Sequence, residues 1–433
     1  MARDMAASQP QSVTELNACV SSSNGRLPHK VTTFREWLLA NQIGISVTIF
    51  AMLLAVQNLY PSLQPYTTPF FQLSYYNPSK GSYVQGRDDI SFVISSAIAF
   101  TGIRAAAIEW IFEPLARQAG LKHKAALRVA EQGWLWVYYA FFWTYGMYLW
   151  IHSSYWKSYS AIWAEWPVRD VSGSMKWYLL VQLSFWIQQM LIIHIEKRRK
   201  DHYQMLVHHI ITSTLLGSAY IYGFYNVSNV VLCLMDIVDL LLPTAKILKY
   251  LKFETSCNVA FGVFLVTWLI ARHIYYPQLC WSIYKDVPTH MAYGCYSGTT
   301  AELVTTDGYP DRASYLLSPF KDINGPICMN RTVKWIFLSF LLFLQLLSII
   351  WFGMIVRVAV GVLRTGNAED TRSDDEEEEI KAANGNLQAV GRDGATIVTG
   401  GSAVHARGRG RVRLSEQSDR KALLGRIGCD RPT

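Results

Sequence analysis

The chain has 433 residues, 51% of them hydrophobic and 13% aromatic, with only 17% charged and a formal net charge of +8. Typical soluble domains carry about 25% charged residues, so the composition excludes a disordered hub. Basic balance can signal nucleic acid, but here the apolar residues gather into long blocks with the basic residues between them, which is the pattern of a membrane protein.

A bilayer core about 30 Å thick needs about 20 mostly apolar helical residues. The polar segment 1–37 shows no apolar run behind a basic start, so no signal peptide is expected and insertion begins at the first true span. In chain order the sequence predicts eight spans: Leu38–Tyr60, Ile90–Glu113, Gly133–Ile151, Trp177–Ile195, Gln204–Tyr225, Ser228–Ala245, Asn258–Tyr276 and Lys334–Val356. The second contains Arg104 and Glu109, and the sixth is short. Pro243 should kink or end the sixth, which leaves the placement of Lys246 open. The fold class is an all-α polytopic membrane protein. Two helices occupy 38–127 and six occupy 128–364, with a long loop over 277–331.

Basic residues cluster on alternate connections: Arg26, Lys30 and Arg35; Arg117, Lys122, Lys124 and Arg128; Lys197, Arg198, Arg199 and Lys200; Lys246, Lys249 and Lys252. The positive-inside rule makes this side the cytosol, and an even span count puts both termini there. The opposite connections carry Tyr75, Tyr76, Trp156, Trp163, Trp166 and Trp281, suited to the far interface. The seven cysteines form no C-x-x-C, so no zinc framework is suggested. Cys280, Cys295 and Cys328 fall in the long loop. In an oxidising compartment a Cys295–Cys328 bridge is one option and unpaired thiols the other. Asn226 and Asn330 match the glycan acceptor pattern, each abutting a span.

The segment 365–433 is rich in Gly, Ser and charge and is expected to be a disordered cytosolic tail. Ser373 stands directly before Asp374, Asp375 and Glu376. That is a context for an acidophilic kinase, although charge runs are more often solvated tails.

Ionisable groups inside spans are costly and are functional candidates by default. The fifth predicted helix carries His208 and His209, and the sixth carries Asp236 and Asp239. At about 1.5 Å per residue, His208 lies roughly 7–12 Å beyond the preceding basic cluster and the two carboxylates roughly 10–15 Å from the same face, so the pairs meet at one depth. Asp236 and Asp239, at i and i+3, share a helix face, while the adjacent histidines point about 100° apart. Imidazole and carboxylate together can remove a proton or attack a thioester, which are the parts acyl transfer needs. Packing glue between helices is the bland alternative, made less attractive by four costly groups in one place. A metal site is the other, yet the chain has ten His with one adjacent pair and no H-x-x-H-H. His194, His202 and His273 sit nearer span ends and read as structural. The clusters Lys197–Lys200 and Lys246–Lys249 follow from orientation, and could also receive the phosphates of a cytosolic CoA ester.

The run from Arg199 through His208-His209-Ile210-Ile211-Thr212 to Met235-Asp236-Ile237-Val238-Asp239 and Ala245-Lys246 resembles the signature of the ceramide synthases (sphingosine N-acyltransferases) of the TLC-domain, or longevity-assurance, family, of fungal type. The resemblance implies N-acylation of a sphingoid base by a fatty acyl-CoA to give (dihydro)ceramide, in the endoplasmic reticulum membrane, with no metal or other cofactor. It implies that His208, His209, Asp236 and Asp239 are the essential positions and that a helical barrel encloses the acyl chain. It further implies homo- or heterodimers with a related synthase, a small single-span accessory subunit, no nucleic-acid partner, and phosphorylation of the tail, Ser373 included. The expected mechanism has His208 attacking the thioester, with Asp236 and Asp239 orienting and charge-stabilising the histidines; single-step transfer with histidine only as base is its rival. A non-catalytic TLC-domain lipid sensor or transporter is the alternative from another class.

Overall fold

The computed structural model describes residues 33–195, 202–306 and 314–365. Lys197, Arg198, Arg199, Lys200 and Ser373 lie outside the described residues, as do the tail residues from 366 onward. Eight long helical rods carry the fold: α1 Gln42–Leu59, α2 Asp89–Gln118, α3 His123–Ile151, α4 Gly173–Ile195, α5 His202–Ile221, α6 Tyr225–Tyr250, α7 Glu254–Lys285 and α8 Arg331–Thr365. Each predicted segment falls mainly within one rod. Among the described residues five rods, α1, α2, α4, α7 and α8, are long and apolar enough to cross a membrane. The chain is a multi-pass membrane protein. The other three include both rods that carry the His and Asp pairs, whose polar residues dilute the apolar run.

Two expectations about helix ends are corrected. The sixth rod is not short: α6 has 26 residues and continues as helix through Pro243 to Tyr250. Proline has no N–H, so the helix bond from position 243 back to residue 239 is absent. Packing of α6 against α3 and α7 keeps the segment helical nonetheless. The long loop also starts later than Pro277. A π-helical turn, Leu269–Tyr275, shifts the register, and the rod resumes with Pro277 in its first turn, where the missing N–H costs nothing.

Consecutive rods run antiparallel. The α3 rod packs on α6, α6 on α7, α7 on α8, α8 on α5, α5 on α4, and α4 back on α3, which closes a six-helix ring. Outside it α2 packs on α3 and α4, and α1 packs on α2. The central rod is α6, which also touches α4 and α5. Asn229 on α6 is fully buried, donates to the Gly146 carbonyl of α3 at 3.1 Å and accepts the Tyr155 hydroxyl at 3.0 Å. A side chain at Gly146 would collide with the Tyr178 hydroxyl, so glycine is what lets α3 and α4 approach.

The two ends of the ring differ. At one end, here the Lys249 end, short turns join α2 to α3 and α6 to α7, and the guanidinium of Arg35 donates to the last carbonyl of α4, Ile195. At the opposite, disulfide end, a cap covers the rods. Its strands β1 Gly294–Tyr296, β2 Leu303–Thr305 and β3 Ile327–Met329 form an antiparallel sheet in the order β2-β1-β3. Cys295 and Cys328 face each other across β1 and β3 and are joined by a disulfide, while Cys280 is a buried free thiol. Buried Arg169 ties the cap together, donating to the carbonyls of Gly298 at 2.6 Å and Ile323 at 2.9 Å. Neither acceptor asparagine sits in an open loop. Asn226 is half-buried in the first turn of α6, and the Asn330 side chain caps α8 by accepting the Val333 N–H at 2.9 Å.

Beside the cap, Lys176 at the start of α4 forms a fully buried ion pair with Asp89 of α2 at 2.7 Å. Lys176 also donates to the carbonyls of Ser74 and Val84, and Asp89 accepts the Tyr220 hydroxyl at 2.7 Å. These bonds join α2, α4 and α5 at one point and satisfy the charges that burial would otherwise penalise.

Candidate active site

Inside the ring lies a cavity bounded mainly by α5, α6 and α8, with Trp186 of α4 and Arg272 and Ile283 of α7 completing its wall. Its wall is almost wholly apolar, and on α8 it runs from Lys334 to Ser348, roughly 21 Å along the axis at 1.5 Å per residue. The polar residues concentrate toward one end, where His208 of α5, Asp239 of α6 and Arg272 of α7 line it together. His208 is six residues from the start of α5, and Asp239 is eleven from the end of α6, so both stand on the Lys249 side of their rods.

The two histidines have different surroundings. The His208 imidazole is held edge-to-face between Trp186 and Trp351, at ring separations of 5.6 and 5.2 Å. His209 is buried and sits 5.3 Å from the same Trp186 ring, outside the cavity lining. Both Nδ1 atoms are buried without a hydrogen-bond partner.

The two carboxylates also part company. Residues at i and i+3 differ by about 60° around the axis, and that turn directs Asp239 to the cavity and Asp236 to α4. Asp239 pairs with the Arg272 guanidinium at 3.2 Å; the same Nη2 donates to the Met235 carbonyl at 3.0 Å, and the guanidinium lies 4.2 Å over the Trp268 ring. Asp236 is fully buried and accepts from the Gln182 amide at 2.9 Å, whose oxygen accepts the Tyr138 hydroxyl at 2.7 Å. The expected direct orientation of the imidazoles by Asp236 has no hydrogen bond behind it among the described residues: its Oδ2 accepts from Gln182, while its Oδ1 and both Nδ1 atoms are without a hydrogen-bond partner. Of the four expected residues, the cavity wall brings together His208 and Asp239, with His209 and Asp236 behind it.

Lys246 and Lys249 lie on the last two turns of α6, roughly 10 and 15 Å past Asp239 along the axis. Lys246 is half-buried and Lys249 exposed. Of the histidines nearer span ends, His194 bonds the Met190 carbonyl at 2.7 Å and His273 bonds Gln345 of α8 at 3.0 Å. Among the described residues no three or more His, Cys, Asp or Glu gather closely enough to hold a metal ion.

Sequence reasoning missed Arg272, Trp186 and Gln182. An arginine near a span end reads as an interfacial anchor, and an indole or amide within a span reads as packing. Only the π-helical turn that carries Arg272 brings it beside Asp239.

A chamber lined by apolar side chains, with an imidazole and an ion-paired carboxylate at one end, has the chemistry to hold an apolar chain and to move a proton beside it. The TLC-domain model matches residues 128–357, which takes in all six rods of the ring, and the chain belongs to that family. It is 44% identical to the sphingosine N-acyltransferase-like protein ALT7 of Alternaria alternata, over 80% of this chain and 78% of that protein. It is 38% identical to the ceramide synthase FUM18 of Gibberella moniliformis, over 77% and 79% of the two chains. To the sphingosine N-acyltransferase lag1 of Schizosaccharomyces pombe it is 35% identical, over 81% and 83%.

Proposed function

We propose that this protein is a ceramide synthase, transferring a fatty acyl group from acyl-CoA to the amine of a sphingoid base to give (dihydro)ceramide. The observation that carries the reading is the placement of His208 and the Asp239–Arg272 pair at one end of a long apolar chamber. The acyl chain lies along the chamber, each buried methylene contributing about 0.8 kcal/mol, and its carbonyl carbon stops beside His208. The CoA moiety extends toward the Lys249 end, where Lys246 and Lys249 on α6 supply cations for its phosphates; Lys197, Arg198, Arg199 and Lys200 are further candidates from the sequence.

His208 attacks the thioester carbonyl carbon, the tetrahedral adduct collapses with loss of CoA thiolate, and an acyl-imidazole remains. The sphingoid amine then attacks that carbonyl, and His209 or a carboxylate takes the amine proton. Asp239, fixed by Arg272, offsets the positive charge that develops on the imidazole, and Asp236 acts through Gln182 by fixing α4 against α6. The residues of this chain and the two substrates supply every group the scheme uses.

The proposed setting is the endoplasmic reticulum membrane, with eight crossings, the Lys249 end and both termini in the cytosol, and assembly as a dimer with a small single-span subunit. The decisive assay uses membranes from cells lacking their own activity and expressing this chain, given a sphingoid base and acyl-CoAs of several lengths. N-acylated base by mass spectrometry is the expected product; its absence with intact protein favours a lipid sensor or transporter. Incubation with acyl-CoA alone tests the covalent route: the peptide bearing His208 and His209 gains the acyl mass, or single-step transfer replaces it.

A further inference from the structure

Two hydrogen-bond donors stand unused in the wall of the chamber beside His208. Trp186 of α4 is 4% exposed, and its indole N–H is buried with no partner. Thr212 lies one turn beyond His208 on α5, hence on the same face, and its hydroxyl is likewise buried and unpartnered. Both residues line the chamber with His208. An unpaired buried donor costs about 1–3 kcal/mol. Trp134, Trp150 and Trp268 also carry unpaired indole N–H groups, but none of them lines the chamber. The Nε of Arg272 is also unpaired in the chamber wall, but its guanidinium is already held by Asp239 and the Met235 carbonyl; beside the nucleophile, the donor groups with no engagement at all are those of Trp186 and Thr212.

We propose that the Trp186 indole N–H and the Thr212 hydroxyl form the oxyanion-binding site for the acyl group in transit. The proposal rests on the acyl-transfer reading above, but not on the choice between its two routes. Attack on the carbonyl carbon, by His208 or directly by the amine, forms one C–N bond and moves the carbonyl π pair onto oxygen. That oxygen accepts from Trp186 and Thr212. Collapse of the adduct restores the C=O bond and breaks the C–S bond, the electron pair leaving on CoA sulfur; in the covalent route a second adduct, formed by the amine, collapses by breaking the C–N bond to His208, and in either route the amine proton passes by way of His209 or a carboxylate to the released thiolate. Donors fixed in an apolar, water-poor wall need no reorganisation as the charge appears, which is where such contacts are worth most.

The test compares Trp186→Phe, which keeps the ring, Thr212→Val, which keeps the shape, and Thr212→Ser, which keeps the hydroxyl. Each full-length variant is measured for kcat with acyl-CoA and for affinity toward an acyl-CoA thioether analogue that has no carbonyl. The expected result is a roughly 100-fold fall in kcat for Trp186→Phe and Thr212→Val, activity largely restored in Thr212→Ser, and unchanged affinity for the thioether throughout. Near-wild-type kcat in both disabling variants overturns the proposal, and so does a loss of kcat matched by a loss of thioether affinity. Should Trp186→Phe not fold, the Val and Ser variants at Thr212 decide. A wild-type chain that makes no N-acyl product removes the acyl-transfer reading itself, whatever the variants do.

Discussion

Arg272→Met is the most informative single change, because it removes one charge and little volume. The Arg272 side chain is 5% exposed and that of Asp239 30% exposed. Breaking a buried ion pair from one side costs about 3–5 kcal/mol. Since 30% of the Asp239 side chain remains exposed, the lower end, about 3 kcal/mol, is expected. The kinetic effect is larger than thermal destabilisation would suggest, because Asp239 loses the group that fixes it opposite His208. A misplacement of about 1 Å near the chemistry costs on the order of 100-fold in rate. Unfolding in detergent gives the first quantity and N-acyl product formation the second. Combining Arg272→Met with Asp239→Asn isolates their coupling, expected at about 0.5–3 kcal/mol. Turnover by Arg272→Met within about threefold of wild type, with an unchanged unfolding midpoint, would refute the assignment of Arg272 to the site.

Lys176→Met strands the buried Asp89 carboxylate and should lower stability by about 3–5 kcal/mol, with Asp89→Asn added in the same chain recovering much of the loss in a detergent melt. Val231→Trp fills the chamber between the cap and Asp239, so turnover should fall steeply for long acyl-CoAs and little for short ones; an equal loss at every length would show that the chain does not lie there. Cys295→Ser removes a cross-link between residues 33 apart and should cost about 3–4 kcal/mol under oxidising conditions. Under reducing conditions the variant and wild type should melt alike.

The helical spans were legible because each needs a long apolar stretch, and their ends were not, because local rules compete with packing. Pro243 shows the competition: its missing N–H argues for a break, and the flanking α3 and α7 override it. The shared cavity wall of His208 and Asp239 was legible because ionisable groups inside spans are costly and stand out as candidates. Their partners were not. Gln182 and Trp186 cost little in a span and carry no distinguishing spacing, and Arg272 reaches Asp239 only because a π-helical turn rotates it inward. The spacing of Asp236 and Asp239 located the site, while the division of labour between them depends on which neighbour each meets.

Four of its fellow rods, α3, α4, α5 and α7, rest on α6, so α6 works as the axle of the ring. Disturbance anywhere along its 26 residues is transmitted to the reacting groups without touching them. A genetic screen for inactive protein should therefore return positions such as Asn229, close to the cap and far from the thioester, among its strongest hits. Such hits would report on the rigidity of a shaft, not on the chemistry at its working end.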